Sequence, residues 1–238
     1  MSNINTATRR RQWVIAGVAA AVMLATGGGI WAYSHHQAEL NRPAPKAAPN
    51  LTGSLVNTSF TEGVAKGPAD SKVIVTEFFD YECIACSMMA PVMEKVIAAN
   101  AGVRFAFRDW TIFAARFPES AQASRSGLSI YRKHGADAYM TFHNGIYRTG
   151  HNEGKLTAED IEKAVIAAGA GKASDDSNAA SDQIIENNAD LAEMLGLTGT
   201  PGIIVMPAEN ATPDNTTVIP GVVSEQVMQQ AIARAEKG

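Results

Sequence analysis

The chain has 238 residues, which is enough for one large domain or for one domain with an insertion. Its hydrophobic fraction of 46% and its net charge of -4 are ordinary for a globular protein that also carries one membrane segment. Because no basic stripe follows the first dozen residues, composition and charge argue against a nucleic-acid-binding protein, and we expect no nucleic-acid partner.

The N-terminal segment has the pattern of a membrane anchor. Three arginines, Arg9 to Arg11, precede an uncharged run at residues 13–33. As a helix this run spans about 31 Å, which matches the roughly 30 Å hydrocarbon core of a bilayer. Because basic residues mark the cytoplasmic side, the pattern predicts a cytoplasmic segment at residues 1–12 and a single-pass inner-membrane protein whose C-terminal domain faces the periplasm.

A cleaved signal peptide is the alternative interpretation of this segment, because a basic start followed by an apolar core is common to both. Cleavage would leave a soluble periplasmic domain. Under either interpretation the domain is exported to a compartment in which disulfides persist.

The rest of the chain divides into a linker and one domain. The Pro-rich and polar stretch at residues 34–60 predicts the linker, and the domain follows at residues 61–238. Hydrophobic periodicity within the domain predicts a strand, a helix, a strand, a long helical block, two strands and a last helix. They lie in that order at residues 73–79, 87–100, 103–108, about 115–195, 202–206, 218–219 and 224–238. This order predicts an α/β domain with a helical insertion.

Cys83 and Cys86 are the only cysteines, and two residues separate them. A disulfide between them closes a loop of four residues, which stabilises by about 2 kcal/mol and is a weak staple for a chain of this length. The pair lies where a predicted strand meets a predicted helix, and a helix N-terminus stabilises a thiolate. The position therefore predicts that Cys83 attacks a substrate disulfide and that Cys86 resolves the mixed disulfide.

Two other functions of the cysteine pair have less support from the sequence. A structural disulfide is disfavoured by its small loop. A zinc site needs two further ligands at short spacing, and no histidine lies near the pair in sequence. The histidines are His35, His36, His134, His143 and His151. We therefore expect no bound metal and no cofactor.

The segment at residues 78–86, with the sequence FFDYECIAC, resembles the active-site segment of DsbA-like proteins of the thioredoxin superfamily. Pro91 resembles the helix proline that thioredoxins carry eight residues after the first cysteine. Glu77 falls where the family has a buried acid, and residues 195–202 resemble its cis-proline loop. The resemblance covers about residues 60–236 and implies a thioredoxin-like fold with a helical insertion.

The resemblance also implies roles for single residues. It implies a thiol–disulfide oxidoreductase with a redox-active disulfide between Cys83 and Cys86, and a Glu77 that tunes proton transfer at Cys86. It implies a cis peptide at Thr200–Pro201 whose backbone pairs with a bound substrate chain. From the residues alone, Pro201 also fits an ordinary proline at the start of a strand, and Glu77 fits a carboxylate turned to solvent.

The sequence departs from DsbA at two places. Ile84 and Ala85 stand between the cysteines where DsbA has Pro-His, so no imidazole holds the thiolate, and Glu82 beside Cys83 is expected to work weakly against it. We therefore expect a less strongly oxidising pair than that of DsbA. Thr200 resembles the isomerase and reductase branches, where DsbA has valine. Oxidase and isomerase or reductase both stay open.

The predicted partners are exported cysteine-containing client proteins and a membrane protein that recycles the pair. One alternative is a thioredoxin-fold chaperone or metal-binding module that assists assembly of an envelope machine, with a pair that is vestigial or holds a soft metal. Methionines are candidate ligands of a soft metal, but Met88, Met89 and Met93 have the spacing of a helix core. A third possibility is an assembly factor whose redox activity serves one client.

Overall fold

The computed structural model describes residues 34–42, 63–171 and 178–237. The chain forms two compact units, residues 1–42 and 43–238. In the first unit, residues 34–40 are helical, although they fall within the stretch predicted as a linker. The predicted membrane segment at residues 13–33 lies outside the described residues. None of the helices in the described part of the chain combines the length and the apolar composition that a bilayer crossing requires.

The second unit is built on a five-stranded mixed sheet with the strand order β1-β3-β2-β4-β5. The central strand β2 runs parallel to β3 and antiparallel to β4, and the two edge pairs are antiparallel. Every residue of β2 is buried, as its continuous apolar run predicts. The strands are β1 (Val64–Lys66), β2 (Val73–Phe79), β3 (Arg104–Asp109), β4 (Gly202–Pro207) and β5 (Thr217–Pro220).

Five helices accompany this sheet in the described residues. α1 follows β2 directly, three helices lie between β3 and β4, and the last helix ends the domain. The long α2 consists of two helical pieces that meet at Gly135, whose φ of 80° is accessible to glycine at little cost. The helices are α1 (Ile84–Ala99), α2 (Glu119–Arg148), α3 (Ala158–Ala167), α4 (Asn178–Met194) and α5 (Glu225–Ala235).

The two faces of the sheet have different cores. On one face, residues of α1, α2, α3 and α5 pack with Val75, Phe79 and Phe107 in the larger cluster, which includes both cysteines. On the other face, α4 packs against Ile74 and Phe78 in a smaller cluster. The helical block predicted at about 115–195 therefore covers both faces of the sheet.

The predicted order of elements is confirmed except at the start. β1 was not predicted, because three residues are too few to show a period of two. It pairs antiparallel with β3 at the edge of the sheet. The helix start predicted at residue 224 is confirmed, because the Ser224 side chain accepts a hydrogen bond from the third residue of α5. Thr157 caps α3 in the same way, and Asp160 completes a capping box with it.

Candidate functional site

Cys83 is the N-cap residue of α1, so the prediction that it lies at a helix N-terminus is confirmed. Its sulfur accepts a hydrogen bond from the backbone N–H of Cys86 at 3.4 Å and donates to the backbone oxygen of Thr200 at 3.3 Å. Both cysteines are free thiols. Cys83 is 4% exposed and Cys86 is fully buried, so Cys83 is the more accessible of the two residues.

The two thiols have opposite electrostatic environments. The side chains of Cys86 and Thr200, together with the N–H groups of Cys86 and Ala85, outweigh desolvation and lower the pKa of Cys83 to about 6. Burial, followed by the Cys83 side chain and the charge of Glu77, raises the pKa of Cys86 well above its ordinary value. At neutral pH the site therefore holds one thiolate and one thiol, which are the species that attack and resolution require.

The Thr200–Pro201 peptide bond is cis, which confirms the geometry that the resemblance implied. The turn before β4 carries this bond and brings the Thr200 carbonyl to the Cys83 sulfur. Pro201 is buried, and its own carbonyl accepts the N–H of Gly221 at 2.8 Å. Pro91 lies inside α1 as predicted. The substrate-binding role of Thr200 and Pro201 stays a prediction.

Glu77 lies in the middle of β2 and is only 2% exposed, so its interpretation as a solvent-facing carboxylate is wrong. Residues of one strand alternate between faces, which places Glu77 on the same face as Phe79. Phe79 belongs to the cluster that contains Cys86. Desolvation, followed by the charge of Cys83, raises the pKa of Glu77 to about 8. Its Oε2 has no hydrogen-bond partner among the described residues. A buried acid of this pKa can exchange a proton near neutral pH.

Glu82 precedes Cys83 but is engaged elsewhere. Its side chain is fully buried, and its Oε2 accepts the N–H of Gly154 at 2.8 Å. Its backbone oxygen accepts the N–H of Glu153 at 2.9 Å. Burial raises the pKa of Glu82. The carboxylate expected to act on the neighbouring thiolate therefore instead ties the loop after α2 to the active-site segment.

A buried polar group beneath the site was missed by the sequence reasoning. The Nδ1 atom of His143 lies 3.2 Å from the Tyr81 hydroxyl and 3.4 Å from the Tyr139 hydroxyl. Burial lowers the pKa of His143 to about 3, so the ring is neutral. His143 is also in ring contact with Phe79 and Tyr147. Its distance from the cysteines in sequence, which argued against zinc, gave no signal that the fold brings it under the active-site segment.

The methionines near the cysteine pair divide between the core and the surface. Met89 and Met93 belong to the core, as their helical spacing predicted, and Met88 is 46% exposed. No group of three or more His, Cys, Asp or Glu side chains in the described ranges could hold a metal ion.

The site combines a cysteine pair at a helix N-terminus, a cis-proline turn and a buried acid on one sheet. The family model described as thioredoxin matches residues 59–216. The chain belongs to the thioredoxin family. This match begins before β1 and ends just before β5, so it includes the cysteine pair, the helical block and the cis-proline turn of this thioredoxin-like α/β fold.

Several solved structures are similar to this chain over most of its length. BcfH of Salmonella enterica Typhimurium is 27% identical, with a TM-score of 0.65 over 98% of this chain and 97% of that chain. The catalytic domain of Proteus mirabilis ScsC is 22% identical, with a TM-score of 0.63 over 78% and 94%. The thiol-disulfide exchange protein α-DsbA2 of Wolbachia pipientis is 22% identical, with a TM-score of 0.65 over 78% and 94%. Among curated proteins there is no match. The resemblance to DsbA-like proteins of the thioredoxin superfamily is confirmed.

Proposed function

We propose that the protein is a thiol–disulfide oxidoreductase that acts on exported proteins through Cys83 and Cys86. The observation that carries the proposal is the split between the two thiols, with a pKa of about 6 at Cys83 and a pKa well above the ordinary value at Cys86. A structural dithiol has no need of such a difference, whereas an exchange reaction needs a nucleophile and a protonated resolving group.

In the reducing direction, the Cys83 thiolate attacks one sulfur of a client disulfide. A bond forms between Cys83 and the client, the client S–S bond breaks, and the released client thiolate takes up a proton. Glu77, in its carboxylate form, accepts the proton of Cys86, and the Cys86 sulfur then attacks Cys83. The client leaves as a dithiol, and the pair is left as the Cys83–Cys86 disulfide, two electrons poorer. In the oxidising direction the same steps run in reverse.

The expected reduction potential lies between those of DsbA and thioredoxin, roughly -120 and -270 mV. The thiolate of Cys83 is held by the helix terminus and neighbouring groups, with Ile84 and Ala85 offering no imidazole. A pKa of about 6 is higher than the value near 3.5 of DsbA, so the reduced form is less favoured than in DsbA. Equilibration of the full chain with glutathione buffers measures the potential, and a value at or above that of DsbA would contradict this expectation.

Activity is tested with insulin reduction and with refolding of scrambled ribonuclease. We expect the full chain to catalyse at least one of them, and Cys83→Ser to abolish both activities, because the attacking sulfur is gone. Cys86→Ala should accumulate mixed disulfides with clients, since nothing resolves them, and mass spectrometry of the trapped adducts identifies those clients. Full activity of Cys83→Ser would overturn the mechanism.

The proposed location is the periplasmic side of the inner membrane, with residues 13–33 as the anchor and a membrane protein recycling the pair. Support comes from the arginines before the apolar run and from the proposed clients, whose disulfides persist in an oxidising compartment. Protease added to intact spheroplasts should degrade the domain. The N-terminal residue of the mature chain, read by mass spectrometry, distinguishes an anchor from a cleaved signal. Protection of the domain until the cells are lysed would overturn the proposed location.

A further inference from the structure

Asp80 lies between the end of β2 and Cys83 and is fully buried. Its carboxylate accepts three hydrogen bonds, from the N–H of Glu82 at 2.8 Å, the N–H of Phe113 at 2.9 Å and the hydroxyl of Ser120 at 2.8 Å. Burial raises the pKa of Asp80, and the three donors oppose this rise because each of them favours the ionised carboxylate.

The backbone of Asp80 contacts the cysteines themselves. Its carbonyl accepts the N–H of Cys83 at 3.1 Å and the hydroxyl of Tyr147 at 3.1 Å. A backbone hydrogen bond from Asp80 also reaches Cys86, where it opposes the rise in the pKa of that thiol. One residue therefore touches both members of the pair.

The partners of Asp80 come from distant parts of the helical block. Ser120 lies in the first turn of α2 and Tyr147 in its last turn, while Phe113 belongs to the connection before α2. The Tyr147 ring also packs on Tyr81, with 5.4 Å between ring centroids. Because both ends of α2 and the preceding connection converge on Asp80, the segment before Cys83 is fixed relative to the helical block.

We propose that Asp80 is a positioning residue for the dithiol, holding Cys83 at the N-terminus of α1 so that its thiolate keeps its hydrogen-bond donors. This inference rests on the proposed exchange reaction and adds a residue that neither attacks nor transfers a proton. Asp80 acts through its contacts with Glu82, Phe113 and Ser120.

A positioning role and a charge effect have opposite signs, so they can be separated. A carboxylate that acted on Cys83 only through its charge would disfavour the thiolate, and its removal would lower the pKa of Cys83. A carboxylate that positions Cys83 favours the thiolate, and its removal raises that pKa. Asp80→Asn keeps the shape of the side chain, removes the charge and turns an amide donor toward one of the three donors.

The experiment measures alkylation of Cys83 by iodoacetamide in the reduced full chain at pH 5, with the modified site identified by mass spectrometry. We expect about a tenfold slower reaction in Asp80→Asn, because the thiolate fraction falls tenfold for a rise of one pKa unit. Ser120→Ala, which removes one donor and leaves the charge, should slow the reaction about threefold. Ser126→Ala is the matched control, since its hydroxyl donates to Gln122 within α2, and it should change nothing.

Each outcome decides the proposal. Faster alkylation of Asp80→Asn assigns a charge effect and overturns it. An unchanged rate with a lower melting temperature assigns only a structural role and also overturns it. If Asp80→Asn fails to fold, Ser120→Ala and Tyr147→Phe decide, and unchanged rates in both contradict positioning. Failure of the exchange reaction itself would appear separately, as a wild-type chain without activity on insulin or ribonuclease.

Discussion

Polar groups are buried at both ends of β2, but they differ in how many of their hydrogen bonds are made. At its amino end, the Ser71 hydroxyl lies 2.7 Å from the carbonyl oxygens of both Val73 and Gly102, to either of which it can donate its one hydrogen. It accepts the N–H groups of Val73 at 3.2 Å and Arg104 at 3.1 Å. Buried Glu77, in the carboxyl half of β2, and buried Glu82, three residues beyond its end, each keep an oxygen with no hydrogen-bond partner among the described residues.

The amino end of β2 therefore stabilises the fold, and the carboxyl end carries the reactive groups. A buried polar group with its hydrogen bonds made costs little, whereas a buried carboxylate without them is disfavoured in its charged form. The raised pKa values of Glu77 and Glu82 express that cost. The end of the strand that carries the cysteines therefore holds groups that titrate closer to neutral pH, and the other end contributes only to the fold.

The largest effect expected from the difference between the two ends of β2 is a fast alkylation of Cys83. With a pKa of about 6, Cys83 is about half ionised at pH 6, so it should alkylate on the order of a hundredfold faster there than an ordinary thiol. Its rate should rise tenfold per pH unit below 6 and level off above 7. A free cysteine peptide of the same local sequence is the control. If the alkylation rate instead reached half of its maximum near pH 8.5, Cys83 would be an ordinary thiol. The cysteine end of β2 would then be no more reactive than the Ser71 end.

The next effect is on stability. Glu77 has a folded-state pKa of about 8 against an ordinary value of 4.5, so between these values the folded chain holds a proton that the unfolded chain has lost. The contribution of this group to the free energy of unfolding is fully present below pH 4.5 and falls by about 1.4 kcal/mol per pH unit as pH rises toward 8.

Glu77→Gln removes this dependence, because the amide does not titrate. Urea unfolding at pH 5 and pH 8 should show a shallower decline with pH than in the wild type, and a more stable variant at pH 8. Exposed Glu162→Gln is the matched control and should follow the wild type. If the free energy of unfolding declined equally with pH in Glu77→Gln and in the wild type, the polar groups in the carboxyl half of β2 would be as well hydrogen-bonded as those at the amino end.

The smallest expected effect concerns Ser71, at the amino end of β2. Ser71→Ala should lower the free energy of unfolding by about 2 kcal/mol, because backbone groups of Val73, Gly102 and Arg104 lose a buried partner. The alkylation rate of Cys83 should not change, since Ser71 lies at the far end of the strand. A slower rate would mean that the two ends are coupled. Ser126→Ala is again the control for the loss of a serine hydroxyl.

The sequence by itself determined the longer elements, whose apolar residues recur at regular spacing, and the cysteine pair. β2, α1 and the helical block could be predicted because apolar spacing is a local property of the chain, and the pair of Cys83 and Cys86 needs no partner from elsewhere. The cis bond at Thr200–Pro201 and the acid at Glu77 were found only through the family resemblance. β1 was missed because three residues carry no period.

Only the tertiary structure decided the surroundings of the pair. Nothing local in the sequence says that Glu77 is buried, that the Glu82 carboxylate binds Gly154, or that both ends of α2 converge on Asp80. The physical reason is the same in each case. A pKa and a hydrogen bond depend on which atoms surround a group, and these atoms come from segments up to about half the chain away, brought together by burial of the common core.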